Sequence, residues 1–348
     1  MKTRTIGRVL GCILGILTSA NIARSQAPGT LSTRIQSPIS ALSLQTAYST
    51  NSSLTYPQGG DGITVQSNSI CGGAVWSIKW RGMEFVNSHD FGRLVQTAFF
   101  ANPGGSGTTY NPTEGGAQAF YSGGLWYEMG SQCNSLWSTY YEQISQAMPY
   151  EWSPQDFGGN PNGTAVYYNG CLFQKYVQMG TVIGHPHIIK YISYISVVPT
   201  YSDHAWATVP AIYYNANFNT IYEWSASNGA VLNSYPTVYS TAKGYPSDLQ
   251  YPSTSGGLIA ADPNTGYALG VYMPLIPFGG TLLNFSWWQF NNGTGTSPTS
   301  DACYAIYPTY AWSFTGGAWS NYNTYIVVGA SVADVAADML YLQQNGYK

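Results

Sequence analysis

Groups able to move a proton are scarce in this chain, with 4 His and 15 Asp plus Glu among 348 residues. The densest polar stretch is His89-Asp90-Phe-Gly-Arg93-Leu-Val-Gln96, and Glu114 follows within Tyr110-Asn-Pro-Thr-Glu-Gly-Gly. Two carboxylates suit glycoside hydrolysis. One is protonated to assist the leaving oxygen, and the other acts as nucleophile or activates water, about 5 Å apart for retention and about 6.5–9.5 Å for inversion. Asp90 and Glu114 are the preferred pair, with Arg93 and Gln96 as positioners and His89 beside them. Glu128, Glu142, Glu151, Asp156, Asp203 and Glu223 are the other acids on offer. The alternatives are a buried structural Asp90–Arg93 ion pair and a solvated loop carboxylate at Glu114.

The histidines form a second group. His185-Pro-His187 would set two imidazoles on one strand face, with Asp203-His204 expected across a hairpin from them. Such a cluster suits zinc or a general base. The intervening Pro186 argues for an irregular edge, so no metal and no cofactor are expected, and His187 and His204 stand as secondary catalytic candidates. Serine-nucleophile elbows, P-loops and dinucleotide fingerprints are absent from the sequence.

These residues need a scaffold. The chain is 44% hydrophobic, 15% aromatic and 8% charged, with 30 Tyr, 39 Gly and 19 Pro. That balance excludes disordered tails, coiled coils and collagen, and no apolar run nears the 20 residues of a membrane span. Short runs rich in Val, Ile, Tyr, Trp and Thr, separated by Gly/Pro/Asn clusters, predict an all-β antiparallel two-sheet sandwich with long loops. The clearest predicted strands lie at 63–66, 74–80, 165–178, 188–198, 206–214, 257–261, 268–273 and 324–329, with a turn at Arg81-Gly82. One C-terminal helix is expected after a Ser331 cap, because Val332, Val335, Ala336, Met339 and Leu340 follow helical spacing. Trp126, Tyr127 and Trp206 are the aromatics expected to lie against sugar, and Tyr140-Tyr141 is among the other aromatic pairs beside polar loops.

The stretch Gly72-Gly-Ala-Val-Trp-Ser-Ile-Lys-Trp-Arg-Gly-Met-Glu-Phe-Val-Asn87 resembles the opening strands of the galactose-mutarotase-like superfamily. Gly266-Tyr-Ala-Leu-Gly-Val-Tyr-Met-Pro274 is similar to a strand of secreted bacterial carbohydrate-active proteins of that type. The resemblance covers about a fifth of the chain. It implies a large supersandwich with a sugar ligand across its concave face. The epimerase motif is absent, and no catalytic residue of the superfamily transfers by position.

Residues 1–27 have the layout of a secretory signal peptide: Lys2, Arg4 and Arg8, a short apolar run, then small residues. Residues 28–60 read as an extended lead-in and 61–348 as a single β-sandwich domain. Removing the signal leaves 8 basic and 15 acidic residues, a formal charge of −7. Nucleic acid and anionic membranes are then poor partners, and an uncharged glycan is the expected one. Cys71, Cys133, Cys171 and Cys303 would permit two disulfides in an exported protein.

The expectation is therefore a secreted or periplasmic glycoside hydrolase acting on a neutral polysaccharide or oligosaccharide. Polysaccharide lyase chemistry using His, Tyr or Arg is one alternative, and a non-catalytic glycan-binding surface protein is the other.

Overall fold

A computed structural model describes residues 51–88, 91–101, 111–117, 120–122, 125–127, 130–152, 171–198, 200, 205–225, 228–236, 256–274, 284–290, 303–310 and 314–347. In chain order the strands are β1 (Asn51–Tyr56), β2 (Ile63–Asn68), β3 (Val75–Trp80), β4 (Met83–Glu84), β5 (Val95–Ala101), β6 (Pro112–Thr113), β7 (Phe120–Ser122), β8 (Leu125–Tyr127), β9 (Gln132–Ser138), β10 (Glu142–Met148) and β11 (Tyr150–Glu151). They continue as β12 (Cys171–Met179), β13 (Ile188–Val197), β14 (Ala205–Asn215), β15 (Thr220–Ser225), β16 (Val231–Pro236), β17 (Gly256–Ala261), β18 (Ala268–Tyr272), β19 (Asn284–Phe290), β20 (Cys303–Tyr310) and β21 (Trp319–Gly329). Helix α1 (Val332–Gln344) follows.

Two large antiparallel sheets and a separate two-stranded pair, β7–β8, result. The first runs β1-β2-β3-β5-β14-β20-β19, with β4, β6 and β11 attached, and the second runs β16-β15-β17-β18-β21-β13-β12-β10-β9. The sheet begins inside the segment expected to be a lead-in, since Asn51–Tyr56 pairs residue for residue with Ile63–Asn68. At the predicted turn, Arg81 and Gly82 both have positive φ, +49° and +82°. That is the two-residue primed turn whose twist matches its flanking strands. Arg81 is held there by a pair of hydrogen bonds to the Asp61 carboxylate, at 2.5 and 3.0 Å.

Strand parity explains the core. Along β13, Ile189, Tyr191, Ile195 and Val197 join the inter-sheet core, while Ile188 faces the other way and packs with α1. β21 does the same: Tyr322, Ile326 and Val328 face inward, and Tyr325 and Val327 face the helix. A strand covered on both faces reads as a continuous apolar run. The helix sits close because Gly270 lies beneath it, where a Cβ would fall 2.5 Å from Val335 Cγ1 and 2.8 Å from Met339 Sδ. Its N-terminus is capped as expected, with Ser331 Oγ accepting from the Asp334 N–H.

The expected disulfides are not found. Cys71, Cys133 and Cys171 are free and buried. Cys71 donates to Asn68 O at 3.2 Å and Cys133 to Ser135 O at 3.4 Å. These thiols fill apolar positions in the way small hydrophobic side chains do. Among the described residues no helix is long and apolar enough to cross a membrane.

Candidate functional site

Glu114 follows β6, and its own N–H donates to Thr97 O on β5. The expected solvated or cleft carboxylate is instead an interior one, with the side chain 1% exposed between the sheets. Its Oε1 lies 2.8 Å from Lys175 Nζ and accepts from Ser145 Oγ at 2.9 Å. Its Oε2 accepts from the Thr97 N–H at 3.2 Å and from Tyr191 OH at 3.1 Å. Since the Tyr191 proton goes to Glu114, Thr97 Oγ1 donates to Tyr191 at 3.1 Å, and Ser193 Oγ donates to Thr97 at 2.8 Å.

The strand register assembles this cluster. Ser145 on β10 stands opposite Lys175 on β12, and Lys175 stands opposite Ser193 on β13, so three polar residues form one row on the inner face. Lys175 also donates to Gly73 O. Burial and the Glu114 charge push the Tyr191 phenol well above its ordinary range, which keeps it neutral and donating. With four donors on its two oxygens, Glu114 is a cross-sheet anchor with no lone pair left for a substrate.

Gln96 is equally occupied. Its Nε2 donates to Gly92 O at 2.8 Å, and its Oε1 accepts from the Gly115 N–H at 2.7 Å. Gly115 has to be glycine, because a Cβ would fall 2.3 Å from Phe91 O. Gln96 thus ties the segment after Asp90 to the segment after Glu114. Arg93 is buried close by. Trp152 Nε1 also donates to Gly92 O, at 3.2 Å. The preceding residue, Glu151, accepts at Oε2 from the Asn111 N–H at 2.8 Å. Glu151 is buried on β11, paired with Pro112 of β6. Arg93, Gln96, Glu114 and Glu151 are all buried, on or beside β5, β6 and β11, which pair in that order. His89 and Asp90 lie outside the described residues, and the side chains of Trp126, Tyr127 and Trp206 do as well.

Among the described residues, His185 and His187 do not share a site. His185 Nδ1 lies 2.7 Å from Asp338 Oδ1 on α1, and its ring stacks 3.7 Å from Tyr341. His187 turns instead to Trp80, with ring centroids 4.5 Å apart. Pro186 sits between them in an irregular segment, so the shared strand face expected for the two rings is not formed. His204 lies outside the described residues. Its neighbour Ala205 opens β14 opposite Ala101, at the far end of the sandwich from Ile188. A ten-residue strand such as β13 spans about 30 Å. Burial lowers the His187 pKa, while Asp61 and Asp338 act in the opposite sense. Among the described residues no three His, Cys, Asp or Glu side chains converge as metal ligands.

Sequence reasoning missed Lys175. Its signal was present in Cys171-Leu-Phe-Gln-Lys-Tyr-Val-Gln-Met, where Lys175 shares the inward parity of Phe173, Val177 and Met179.

No protein-family model and no curated protein matches the sequence. Among solved structures, the chain is similar to heparan sulfate lyase HepC from Pedobacter heparinus, at 6% identity and TM-score 0.40, over 79% of this chain and 34% of that one. It is similar to a Synechocystis sp. protein from the Northeast Structural Genomics Consortium, at 9% identity and TM-score 0.41, over 83% and 100% of the two chains. It is also similar to the 4-alpha-glucanotransferase of Thermococcus litoralis, at 7% identity and TM-score 0.36, over 82% and 40%. The chain thus spans about a third of the length of the lyase and the whole length of the Synechocystis protein.

Proposed function

We propose that the protein is a secreted carbohydrate-active enzyme that hydrolyses an uncharged glycan, with Asp90 and Glu151 as its carboxylate pair. The observation that carries this reading is the hydrogen bond from Trp152 Nε1 to Gly92 O. It holds the residue after Glu151 against the residue two beyond Asp90. Glu114 gives up the role expected for it, since every lone-pair direction of its carboxylate is taken within the core.

In this reading one carboxyl protonates the glycosidic oxygen and the other activates water or attacks the anomeric carbon. Arg93 anchors the Asp90 segment, and Gln96 acts as a positioning residue, because both ends of its amide are used by backbone. Trp126, Tyr127 and Trp206 would lie against sugar faces. The basic signal-like start supports export, and the formal charge of −7 that remains supports an uncharged substrate over a polyanion.

The test is turnover of a panel of neutral glycans by the purified protein and by D90N, E151Q and E114Q. D90N and E151Q are expected to lose turnover by about a hundredfold or more while remaining folded. E114Q is expected to keep turnover per folded molecule. Full activity in E151Q would overturn the assignment.

A further inference from the structure

The sandwich has a second end, away from Ala101 and Ala205. There the turn after β1, the β9–β10 hairpin and the segment after β12 meet. Tyr140 and Tyr141 occupy the hairpin tip and are 46% and 43% exposed. Their rings are nearly perpendicular, at 82°, with centroids 4.4 Å apart. Tyr56, at the end of β1, packs on Tyr141 with centroids 5.9 Å apart. Gly180, with φ +71°, makes room for Tyr56, since a Cβ there would fall 2.6 Å from its ring.

The tip is fixed by backbone as well. The Met179 N–H donates to Tyr141 O at 2.9 Å and the Thr139 N–H to Glu142 O at 2.7 Å. The Tyr141 N–H donates to Thr139 Oγ1 at 3.3 Å. None of residues 51–60, 137–141 and 179–184 carries a charge. Glu142, next in the chain, is buried and accepts from Gln178 Nε2 at 2.6 Å. The rim instead offers the exposed hydroxyls of Ser138 and Thr139.

Rigid amphipathic rings with hydroxyl neighbours and no charge match the C–H faces and hydroxyls of a pyranose chain. Asp61, which ends the turn after β1, is already paired with Arg81, so residues 51–60, 137–141 and 179–184 offer an ionic partner no open charge. A second copy of this chain finds too little area, because a tyrosine buries about 150–250 Å² at most and a stable interface takes about 800 Å² from each partner.

We propose that Tyr140 and Tyr141, braced by Tyr56, form an accessory binding surface for an uncharged glycan chain, apart from the reacting groups; the sugar class rests on the hydrolase reading above. The surface holds polymer near the enzyme and adds affinity for long chains without touching the bond that is cleaved.

The experiment is native electrophoresis in gels containing soluble neutral polysaccharides: a mixed-linkage β-glucan, a xylan, a galactomannan and an α-glucan. Wild type, Y140A/Y141A, Y140F/Y141F and E151Q are compared, and short-oligosaccharide turnover is measured on the same preparations. Wild type, Y140F/Y141F and E151Q are expected to be retarded by at least one polysaccharide. Y140A/Y141A is expected to bind about tenfold more weakly or worse, with oligosaccharide turnover unchanged. Because Tyr141 packs on Tyr56, Y140A alone serves as the milder variant and shifts in the same direction. Retardation of Y140A and Y140A/Y141A equal to that of wild type, no retardation of wild type, or a wild-type dimer in light scattering that Y140A/Y141A abolishes would each overturn the surface. Turnover without retardation removes this surface alone, and retardation without turnover removes the hydrolase reading alone.

Discussion

Lys175 Nζ and Glu114 Oε1 meet at 2.8 Å between the two sheets, with both side chains 1% exposed. Removing one partner of such a pair strands the other charge in the interior, at a cost of about 3–5 kcal/mol. E114Q and K175M are each expected to lower the unfolding free energy by that amount in urea titrations. The double variant E114L/K175M, which leaves no charge behind, is expected to lose less than either single one. Additive losses would show that the pair is not coupled.

His187 makes stability depend on pH. Burial lowers its pKa from 6.5 in the folded protein, against the pull of Asp61 and Asp338. The unfolded chain therefore binds more protons as pH falls below about 6.5, and stability drops through that window before most carboxylates titrate. H187Q is expected to flatten the stability slope between about pH 6.5 and pH 5. An unchanged slope would mean that another group titrates there.

The close approach of α1 depends on Gly270. G270V would drive its side chain into Val335 and Met339, and overpacking of this kind costs about 1–3 kcal/mol. Faster proteolysis near the C-terminus should accompany it. Gly60, where an added Cβ would meet nothing within 4 Å and φ is ordinary, is the control. G60A is expected to stay within about 0.5 kcal/mol of wild type.

The free thiols give a fourth test. Burial pushes Cys133 up to about 12 and holds Cys71 and Cys171 well above the ordinary thiol range. Because thiolate is the reactive form, these three are expected to resist an aromatic disulfide reagent in the folded protein and to react once it is denatured. Rapid labelling of the folded protein would contradict their placement.

The sandwich was legible where strands are apolar. β13, β17 and β18 fall within two residues of their sequence expectations, and α1 begins at its predicted cap. β10 was not legible, because Gln143 and Ser145 occupy inward positions that a binary pattern assigns to apolar residues. Both are there to satisfy buried partners: Gln143 Nε2 donates to Ser52 O and Val65 O, and Ser145 serves Glu114. Glu114 was misplaced for the same reason. A glycine-rich neighbourhood suggests a solvated loop, but Gly115 is needed for the tight contact with Phe91 O. Only the long-range pairing of β10, β12 and β13 supplies the donors that make its burial favourable. Likewise, no local signal separates His185 from His187, because their partners on α1 and β3 are far away in sequence.

The central claim is that the protein cleaves an uncharged glycan by adding water. The direct measurement is mass analysis of the products formed in ¹⁸O-labelled water. One labelled oxygen at each new reducing end, with no unsaturated sugar absorbance, is the predicted result. An unsaturated non-reducing end without label would contradict it and assign the chemistry to a lyase.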